Sequence, residues 1–149
     1  MTVSEVCNRE VVIIQKHATI LEAAQRMREF HVGDLIVIEE RAGKRIPVGI
    51  VTDRDIVLEV IAEDIDMRDV DVGDIMSDDL VTVEEKDDLM DTIKLMRAKG
   101  VRRVPVVDGA NALVGILAVD DLIELFAEQI GDLSKIIVRE QVREKARRT

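Results

Sequence analysis

Residues 48–56 have the sequence VGIVTDRDI, and residues 114–122 have the similar sequence VGILAVDDL. Each copy starts as an apolar run typical of a buried strand and continues into charged residues and an apolar helix face. When the rest of the chain is aligned with itself at an offset of 69 residues, further identical residues coincide: Val3 with Val72, Val12 with Val81, Met27 with Met96, Arg28 with Arg97, Val32 with Val101 and Val37 with Val106. The chain is therefore an internal duplication, which predicts two copies of one supersecondary unit.

Each copy has the pattern of a short extended segment, an amphipathic helix, two strands joined by a turn, and a second helix. Apolar residues recur at helical spacing in the first helices, at Ile20, Ala23, Ala24, Met27 and Phe30 in copy one and at Leu89, Ile93 and Met96 in copy two. The predicted strands are Leu35–Ile38, Val48–Val51, Val104–Val107 and Leu113–Leu117. Asp108-Gly109-Ala110-Asn111 predicts a hairpin turn.

The segments between these elements are expected to be connections. Across Glu39 to Pro47 the offset between the copies falls from 69 to 66, which indicates a surface loop that tolerates insertion. The second helices are expected to begin near Asp53 and Val119, and Gly131 is expected to end the latter. The predicted organisation is residues 3–62 for repeat one, 63–71 for a connector, 72–130 for repeat two and 131–149 for a basic C-terminal helix.

The composition disfavours several classes of protein. The chain has 149 residues, 47% of them hydrophobic, which suffices for a globular core. Its apolar runs fall far short of the roughly 20 residues that cross a bilayer, and its N-terminus does not resemble a signal peptide. The single cysteine, Cys7, excludes an internal disulfide and indicates the cytoplasm. A net charge of −10 and the absence of Trp and Tyr argue against nucleic-acid binding.

Three pieces of the duplication resemble the signatures of CBS (cystathionine-β-synthase) domains: Gly49–Ile56, Val101–Asp108 and Val72–Met76. The resemblance extends from about Val3 to Ile130. It implies an α/β fold of two β-α-β-β-α repeats, packed as a pseudo-two-fold pair, and pairs that form homodimers. It also implies a regulatory module without catalytic activity, which requires no cofactor, binds AMP, ADP or ATP as a regulatory ligand and modulates an effector protein.

The resemblance places the family's ribose-binding aspartate at Asp55 in repeat one and at Asp121 in repeat two. A carboxylate has only acceptors, which suits the two donors of a ribose diol. Thr52 would donate its hydroxyl to a phosphate at a helix N-terminus, and Arg54 would add positive charge. An alternative needs no ligand, because Thr52 followed three residues later by Asp55 also fits a helix capping box. The two roles can coexist.

Repeat two departs from this pattern, since Ala118 replaces the threonine and Asp120 stands where repeat one has Arg54. Arg102 and Arg103 match positions from which the family reaches phosphates, and repeat one has Gly33 and Asp34 there. The arginines could serve the Asp121 cleft or reach across the pseudo-dyad to a phosphate held by Thr52; the sequence leaves this open. We expect the Asp55 cleft to be the better nucleotide site.

Two further positions complete the candidate site. Thr82 matches a position where the family contacts the base, although a surface threonine with β propensity explains it equally well. Pro105 lies in the strand after the two arginines, and a proline near a strand edge is common without function.

Two other functions compete with nucleotide sensing. The chain could be a dimerisation or protein-interaction module with vestigial clefts, which Ala118 and Asp120 support. A metal-dependent enzyme is disfavoured, because Cys7, His17 and His31 lack metal-ligand spacing.

The apolar residues of the helices support the expected homodimer. The helices carry more apolar side chains than one sheet face can cover, among them Ile20, Leu21, Leu58, Met90 and Leu122. Residues 133–148 are expected to be helical, with Ile136, Ile137 and Val142 packed on the dimer or on a partner.

Overall fold

The computed structural model describes residues 1–148, which divide into two compact units that meet in sequence between Leu117 and Ala118. The first unit contains β1 (Ile13–Gln15), α1 (Ile20–Phe30), β2 (Asp34–Arg41), β3 (Lys44–Thr52), α2 (Asp53–Asp55), α3 (Val72–Ile75), β4 (Val83–Glu84), α4 (Leu89–Lys99), β5 (Arg103–Val107) and most of β6 (Leu113–Ala118). α2 continues as a π-helix, Ile56–Ile61, and single 3-10 turns occur at Val3–Glu5 and Met67–Asp69. The second unit is α5 (Val119–Arg148).

The strands form two three-stranded sheets of the same design, β1-β2-β3 and β4-β5-β6. β1 is parallel to β2, and β4 is parallel to β5, so each first helix is a crossover between parallel strands. α1 begins at the N-cap Thr19, whose side chain accepts a hydrogen bond from the Glu22 amide at 3.0 Å. α4 begins in the same way at Asp88. The expected repeat of strand, helix, strand, strand and helix is confirmed.

The segment from Glu39 to Pro47 is not the surface loop that the sequence suggested. β2 and β3 pair as one long antiparallel hairpin through it, and only Ala42 and Gly43 form the turn, both with positive φ. Val48 is an extra residue in the ladder, because Val37 pairs with Gly49 whereas Ile38 pairs with Pro47. The three added residues therefore lengthen a hairpin, which satisfies their backbone groups in the ladder rather than in solvent.

The second hairpin confirms the turn expected at Asp108. The Asp108 carboxylate accepts hydrogen bonds from the amides of Ala110 and Ala112 at 2.9 and 3.0 Å, and Asn111 adopts positive φ. These amide bonds lower the pKa of Asp108, since they favour the charged form.

The core of the first unit is built from duplicated positions. Its buried hydrophobic pairs, each separated by the offsets of the repeat, are Val3 and Val72, Ile14 and Val83, Ile20 and Leu89, Met27 and Met96, Leu35 and Val104, Val37 and Val106, Ile38 and Val107, and Val51 and Leu117. The exception to this apolar pattern is Thr92, which is buried where the first copy has Ala23. Its hydroxyl donates to the Asp88 carbonyl at 2.9 Å, so the polar group is satisfied.

The leading segment of each repeat packs on the other repeat. Val3 donates its amide to the Asp87 carbonyl of repeat two at 2.9 Å, and its duplicate Val72 donates to the Ala18 carbonyl of repeat one at 3.0 Å. Both valines have no exposed surface. Because each repeat needs the other's first residues to complete its core, neither copy is a self-sufficient folding unit.

The exchanged segments also pair through their backbones with the last strand of each sheet, β3 and β6. Ser77 and Ile50 exchange two amide-carbonyl bonds of 2.9 and 3.1 Å beside β3, and their duplicates Asn8 and Ile116 do the same beside β6. At Gly49 a Cβ atom would lie 2.6 Å from Met76 Sδ and 2.7 Å from the Ser77 carbonyl oxygen. Glycine is therefore required at this crossing by the closeness of the exchanged segment.

α5 continues through Gly131, so the expected helix end at this residue is wrong. A glycine inside a helix costs about 1 kcal/mol relative to alanine, which the good helix formers around it outweigh. The expected helix over residues 133–148 is confirmed as the C-terminal half of α5. None of the helices within residues 1–148 combines the length and hydropathy that a membrane crossing requires.

We expect Gly49→Ala to lower the free energy of unfolding by roughly 1–3 kcal/mol, because the added methyl group must displace the backbone at Ser77. Chemical denaturation followed by circular dichroism measures the change. Gly109→Ala is the matched control, since a Cβ at Gly109 has no neighbour within 4 Å and its stability should change by less than about 0.5 kcal/mol. Equal effects of the two substitutions would contradict the close approach at Gly49.

Candidate functional site

A cavity of about 340 Å³ in the first unit opens beside the end of β3. Its polar and charged lining consists of Asp34, Thr52, Asp55, Ser77, Asp79, Arg102 and Arg103, and its apolar lining of Ile50, Leu80, Val81 and Val101. The volume falls in the range of small-molecule sites, and the mixture of an aliphatic wall with a few convergent polar groups is typical of them.

Thr52 and Asp55 form a reciprocal capping box at the start of α2. The Thr52 hydroxyl oxygen accepts from the Asp55 amide at 3.0 Å, and Asp55 Oδ2 accepts from the Thr52 amide at 2.9 Å. The capping interpretation of this motif is thus confirmed. It still allows a ligand, because the Thr52 hydroxyl keeps its proton to donate and the Asp55 carboxylate keeps its second oxygen.

The two arginines line the same cavity as Thr52 and Asp55. Arg103 Nε is 3.2 Å from Asp34 Oδ1. Asp34 and Arg103 are duplicates of one position, separated by the same 69 residues, and they meet as an ion pair between the two sheets.

The Asp34 carboxylate is largely buried, which disfavours its charged form. Its side chain is only 11% exposed, and burial is the main cause that raises its pKa above the usual value. Arg103 acts in the opposite direction and lowers the pKa, whereas the neighbouring Asp53 raises it further. The net direction is upward, so Arg103 compensates only part of the desolvation of Asp34.

Five of the site residues expected from the sequence lie outside the lining of this cavity. The Gly33 carbonyl oxygen accepts a hydrogen bond from the Asp53 amide at 2.9 Å. Arg54 is exposed on α2. Thr82 follows the lining residue Val81, and Pro105 is fully buried in β5. Asp121 belongs to the second unit, where it is exposed in the first turn of α5.

Sequence reasoning missed the contribution of the segment from Ser77 to Val81. Asp79 lines the cavity together with Ser77 and the apolar Leu80 and Val81. The signal that could have identified this segment is the duplication itself. Val12 and Val81 are identical residues that precede the first helix of each copy, and such matched positions outside the helices and strands point to a shared contact.

A second cavity of the first unit supports this interpretation, because five of its lining residues are the duplicates of residues in the first. Asn8, Glu10, Val11, Val12 and Val32 correspond to Ser77, Asp79, Leu80, Val81 and Val101. Its volume is about 770 Å³. The lining of this second cavity has one basic residue, Arg26, and two glutamates, whereas the first cavity has two arginines and three aspartates, so both linings carry a formal net charge of −1.

Residues 1–148 contain no group of three or more His, Cys, Asp or Glu side chains that could hold a metal ion. His17 and Asp71 approach each other at 3.3 Å, and His17 is highly exposed. His31 ends α1 in the left-handed conformation, at the position where Gly100 ends α4.

Comparison with known proteins identifies the repeats. The CBS domain profile matches residues 3–62 and 72–128. Uncharacterized protein MK0525 of Methanopyrus kandleri is 36% identical over 125 residues, which cover 84% of this chain and 62% of that protein. CBS domain-containing protein YhcV of Bacillus subtilis is 36% identical over 121 residues, which cover 81% of this chain and 82% of that protein.

A solved structure has the same fold and carries ligands. It is the CBS domain pair of protein MJ0100 in complex with 5′-methylthioadenosine and S-adenosyl-L-methionine. The match has a TM-score of 0.71 at 25% sequence identity, and covers 85% of this chain and 99% of that chain.

We expect Arg103→Gln to lower the free energy of unfolding at pH 7 by roughly 1–3 kcal/mol, because it leaves the buried Asp34 carboxylate without its cation. The substitution removes an interaction that lowers the pKa of Asp34, so that pKa, already raised by burial, rises further. A carboxyl with a raised pKa destabilises the folded state only when ionised. The loss should therefore shrink as the pH falls through the raised pKa.

Urea denaturation of the variant between pH 4 and pH 7 tests this dependence. Arg41→Gln is the control, because Arg41 pairs with Glu39 at the exposed end of the hairpin, where an ion pair contributes little. A loss for Arg103→Gln that stays constant with pH would show that the ion pair with Asp34 is not its cause.

Proposed function

We propose that this chain, which belongs to the CBS domain family as a tandem pair of repeats, is a regulatory module that binds an adenine nucleotide and modulates a partner protein. The observation that carries the proposal is the convergence of Thr52, Asp55, Arg102 and Arg103 on one cavity. These groups supply a hydroxyl, a carboxylate and two cations, which together match a ribose and a phosphate.

The proposed ligand pose follows from the chemistry of each wall. The adenine ring lies among Ile50, Leu80, Val81 and Val101, since the cavity has no aromatic platform and an aliphatic wall can bury a flat base. The ribose diol donates to the Asp55 carboxylate. The phosphate accepts from the Thr52 hydroxyl and from the guanidinium groups of Arg102 and Arg103.

Two acids of the lining favour a short phosphate chain. Asp34 already engages Arg103 at 3.2 Å, and Asp79 adds a further carboxylate to the cavity wall. Each additional phosphate adds negative charge close to these two carboxylates, which is unfavourable at the effective dielectric of a protein surface. Among AMP, ADP and ATP, AMP is therefore the ligand that this cavity fits best.

We expect Asp55→Asn to weaken AMP binding by at least about tenfold, which corresponds to roughly 1.5 kcal/mol or more for lost bonds to a charged acceptor. The asparagine keeps one carbonyl oxygen that can still accept from the Thr52 amide, so the capping box survives. Isothermal titration calorimetry with AMP, ADP, ATP and S-adenosylmethionine measures the affinities.

Asp74→Asn is the matched control, because Asp74 forms the same reciprocal capping box with Asp71 on α3, outside the cavity. Its AMP affinity should equal that of the unmodified protein. Asp121→Asn should weaken AMP binding less than Asp55→Asn if the two clefts are unequal as expected. If the unmodified protein bound none of the four ligands at millimolar concentration, the result would favour the alternative, an interaction module with vestigial clefts.

A homodimer formed through the repeat helices is the second part of the proposal. Of the five residues that suggested it, Ile20 and Leu122 are buried, which removes them from such a surface. Leu21, Leu58 and Met90 are about half exposed, and Leu21 and Met90 are duplicated positions on α1 and α4. Val57 and Ile61 add to the exposed apolar surface beside Leu58.

We expect light scattering at tens of micromolar to give the mass of a dimer or of a larger assembly, because a self-complementary apolar surface is best covered by a second copy. Leu58→Glu should lower the mean mass, since it places a charge in the apolar surface. Met67→Glu is the control, because Met67 has similar exposure but lies in the connector between the repeats. A clean monomer for the unmodified protein would contradict this part of the proposal.

A further inference from the structure

Asp34 and the proposed phosphate position share one guanidinium group. Arg103 Nε lies 3.2 Å from Asp34 Oδ1, and Arg103 also lines the cavity on which Thr52 and Asp55 converge. Nε carries a single N–H, whereas the other donors of a guanidinium lie on its two terminal nitrogens. A phosphate in the cavity would therefore accept from the same side chain that compensates the charge of Asp34.

Asp34 is a carboxylate of the cavity that is largely shielded from water. Its side chain is 11% exposed, whereas Asp79 is exposed. The third carboxylate of the lining, Asp55, accepts a hydrogen bond from the Thr52 amide at 2.9 Å. For Asp34 the compensating group is the Arg103 guanidinium, and burial already holds the pKa of Asp34 above its usual value.

The charged groups around Asp34 come from three other segments of the first unit. Asp53, at the start of α2, raises the pKa of Asp34, and Arg103, at the start of β5, lowers it. The remaining charged groups of the cavity lining are Asp55, Asp79 and Arg102. The two arginines and three aspartates give the lining a formal net charge of −1, to which a phosphate monoester adds about −1.5 to −2 at pH 7. A bound nucleotide would thus leave a large excess of negative charge beside Asp34.

A bound phosphate would act on Asp34 in one direction. It would take donors of the Arg103 guanidinium, and it would place a second anion only the width of that group away from the carboxylate. Both effects disfavour the ionised form of Asp34. The pKa of Asp34 would therefore be higher with the phosphate bound than without it.

We propose that nucleotide binding in this cavity is coupled to the uptake of one proton from solvent by the Asp34 carboxylate. The inference rests on the proposed function and adds a regulatory property to the same site. The proton removes the charge of Asp34, and Arg103 is then available to the phosphate. Since the bound state holds more protons than the free state, the affinity for a phosphate-bearing nucleotide rises as the pH falls between the pKa of Asp34 in the bound state and its lower pKa in the free state.

The titration of the phosphate itself has the opposite sign. Its second pKa is about 6, and the dianion is the better partner for arginines, so protonation of AMP weakens binding as the pH falls. Asp34→Asn separates the two contributions, because asparagine is uncharged at every pH and keeps an oxygen that can accept from Arg103 Nε. The pH dependence that remains in this variant belongs to the ligand and to the other groups of the site.

Isothermal titration calorimetry with AMP between pH 5 and pH 7.5, in buffers of different ionisation enthalpy, measures the affinity and the number of protons taken up. Between pH 7.5 and pH 5, the affinity of the unmodified protein relative to that of Asp34→Asn should rise at least about threefold, where one coupled proton allows at most about tenfold per pH unit. The unmodified protein should also take up more protons per AMP bound. Adenosine, which lacks the phosphate, should show no such difference between the two proteins.

Asp79→Asn is the matched control, because it removes an exposed carboxylate from the same cavity wall. This variant should retain the proton uptake. AMP binding with equal proton uptake by the unmodified protein and by Asp34→Asn would overturn the inference and leave the proposed function standing. Loss of the uptake in Asp79→Asn alone would assign the proton to Asp79 and would also overturn it. Failure of the unmodified protein to bind AMP at any pH would instead overturn the proposed function, and the inference with it.

NMR of the Asp34 carboxyl carbon measures the same effect in the unmodified protein, so it does not depend on the folding of a variant. With AMP bound, this resonance should titrate at a higher pH than in the free protein. Titration at the same pH in the two states would contradict proton uptake by Asp34.

Discussion

The exchange of leading segments between the two repeats is the constraint on which the rest of the structure depends. Val3 completes the core of repeat two and Val72 completes that of repeat one, both without exposed surface. The exchanged chain must pass so close to β3 that Gly49 has no room for a Cβ. A copy of about 60 residues buries too little apolar surface to be stable alone, so the duplication and the exchange together create one core from two insufficient ones.

The candidate site is a direct consequence of that exchange. Thr52 ends β3 and Asp55 lies on α2, but Ser77 to Val81 belong to the segment that repeat two contributes to the core of repeat one, and the arginines lie where β5 begins. The ion pair between Asp34 and Arg103 joins two duplicated positions that have acquired opposite charge. The two copies of this position carry opposite charges and attract each other, whereas two aspartates or two arginines there would repel each other.

The sequence predicted the elements well and the connections poorly, for a physical reason. Periodicity and turn chemistry are local, so the duplicated helices, the Asp108 turn and the cap at Thr52 were all accessible from a few neighbouring residues. The hairpin across Glu39 to Pro47 was missed because its polar residues pair through the backbone, which hydropathy does not record. Gly131 was misjudged because one unfavourable residue does not outweigh the helix formers around it.

The capping box at Thr52 connects the candidate site to the surface of the molecule. α2 and the π-helix that follows it form one helical segment, from Asp53 to Ile61, which begins at the cap and carries the exposed Leu58. Wide π turns are rare and are frequent at functional sites. In the proposed ligand pose the Asp55 carboxylate has two tasks, because Oδ2 holds the first turn of this segment while the second oxygen would hold the ribose. Any effect of the ligand on the surface around Leu58 would therefore require the ligand to contact two conformations of this segment differently.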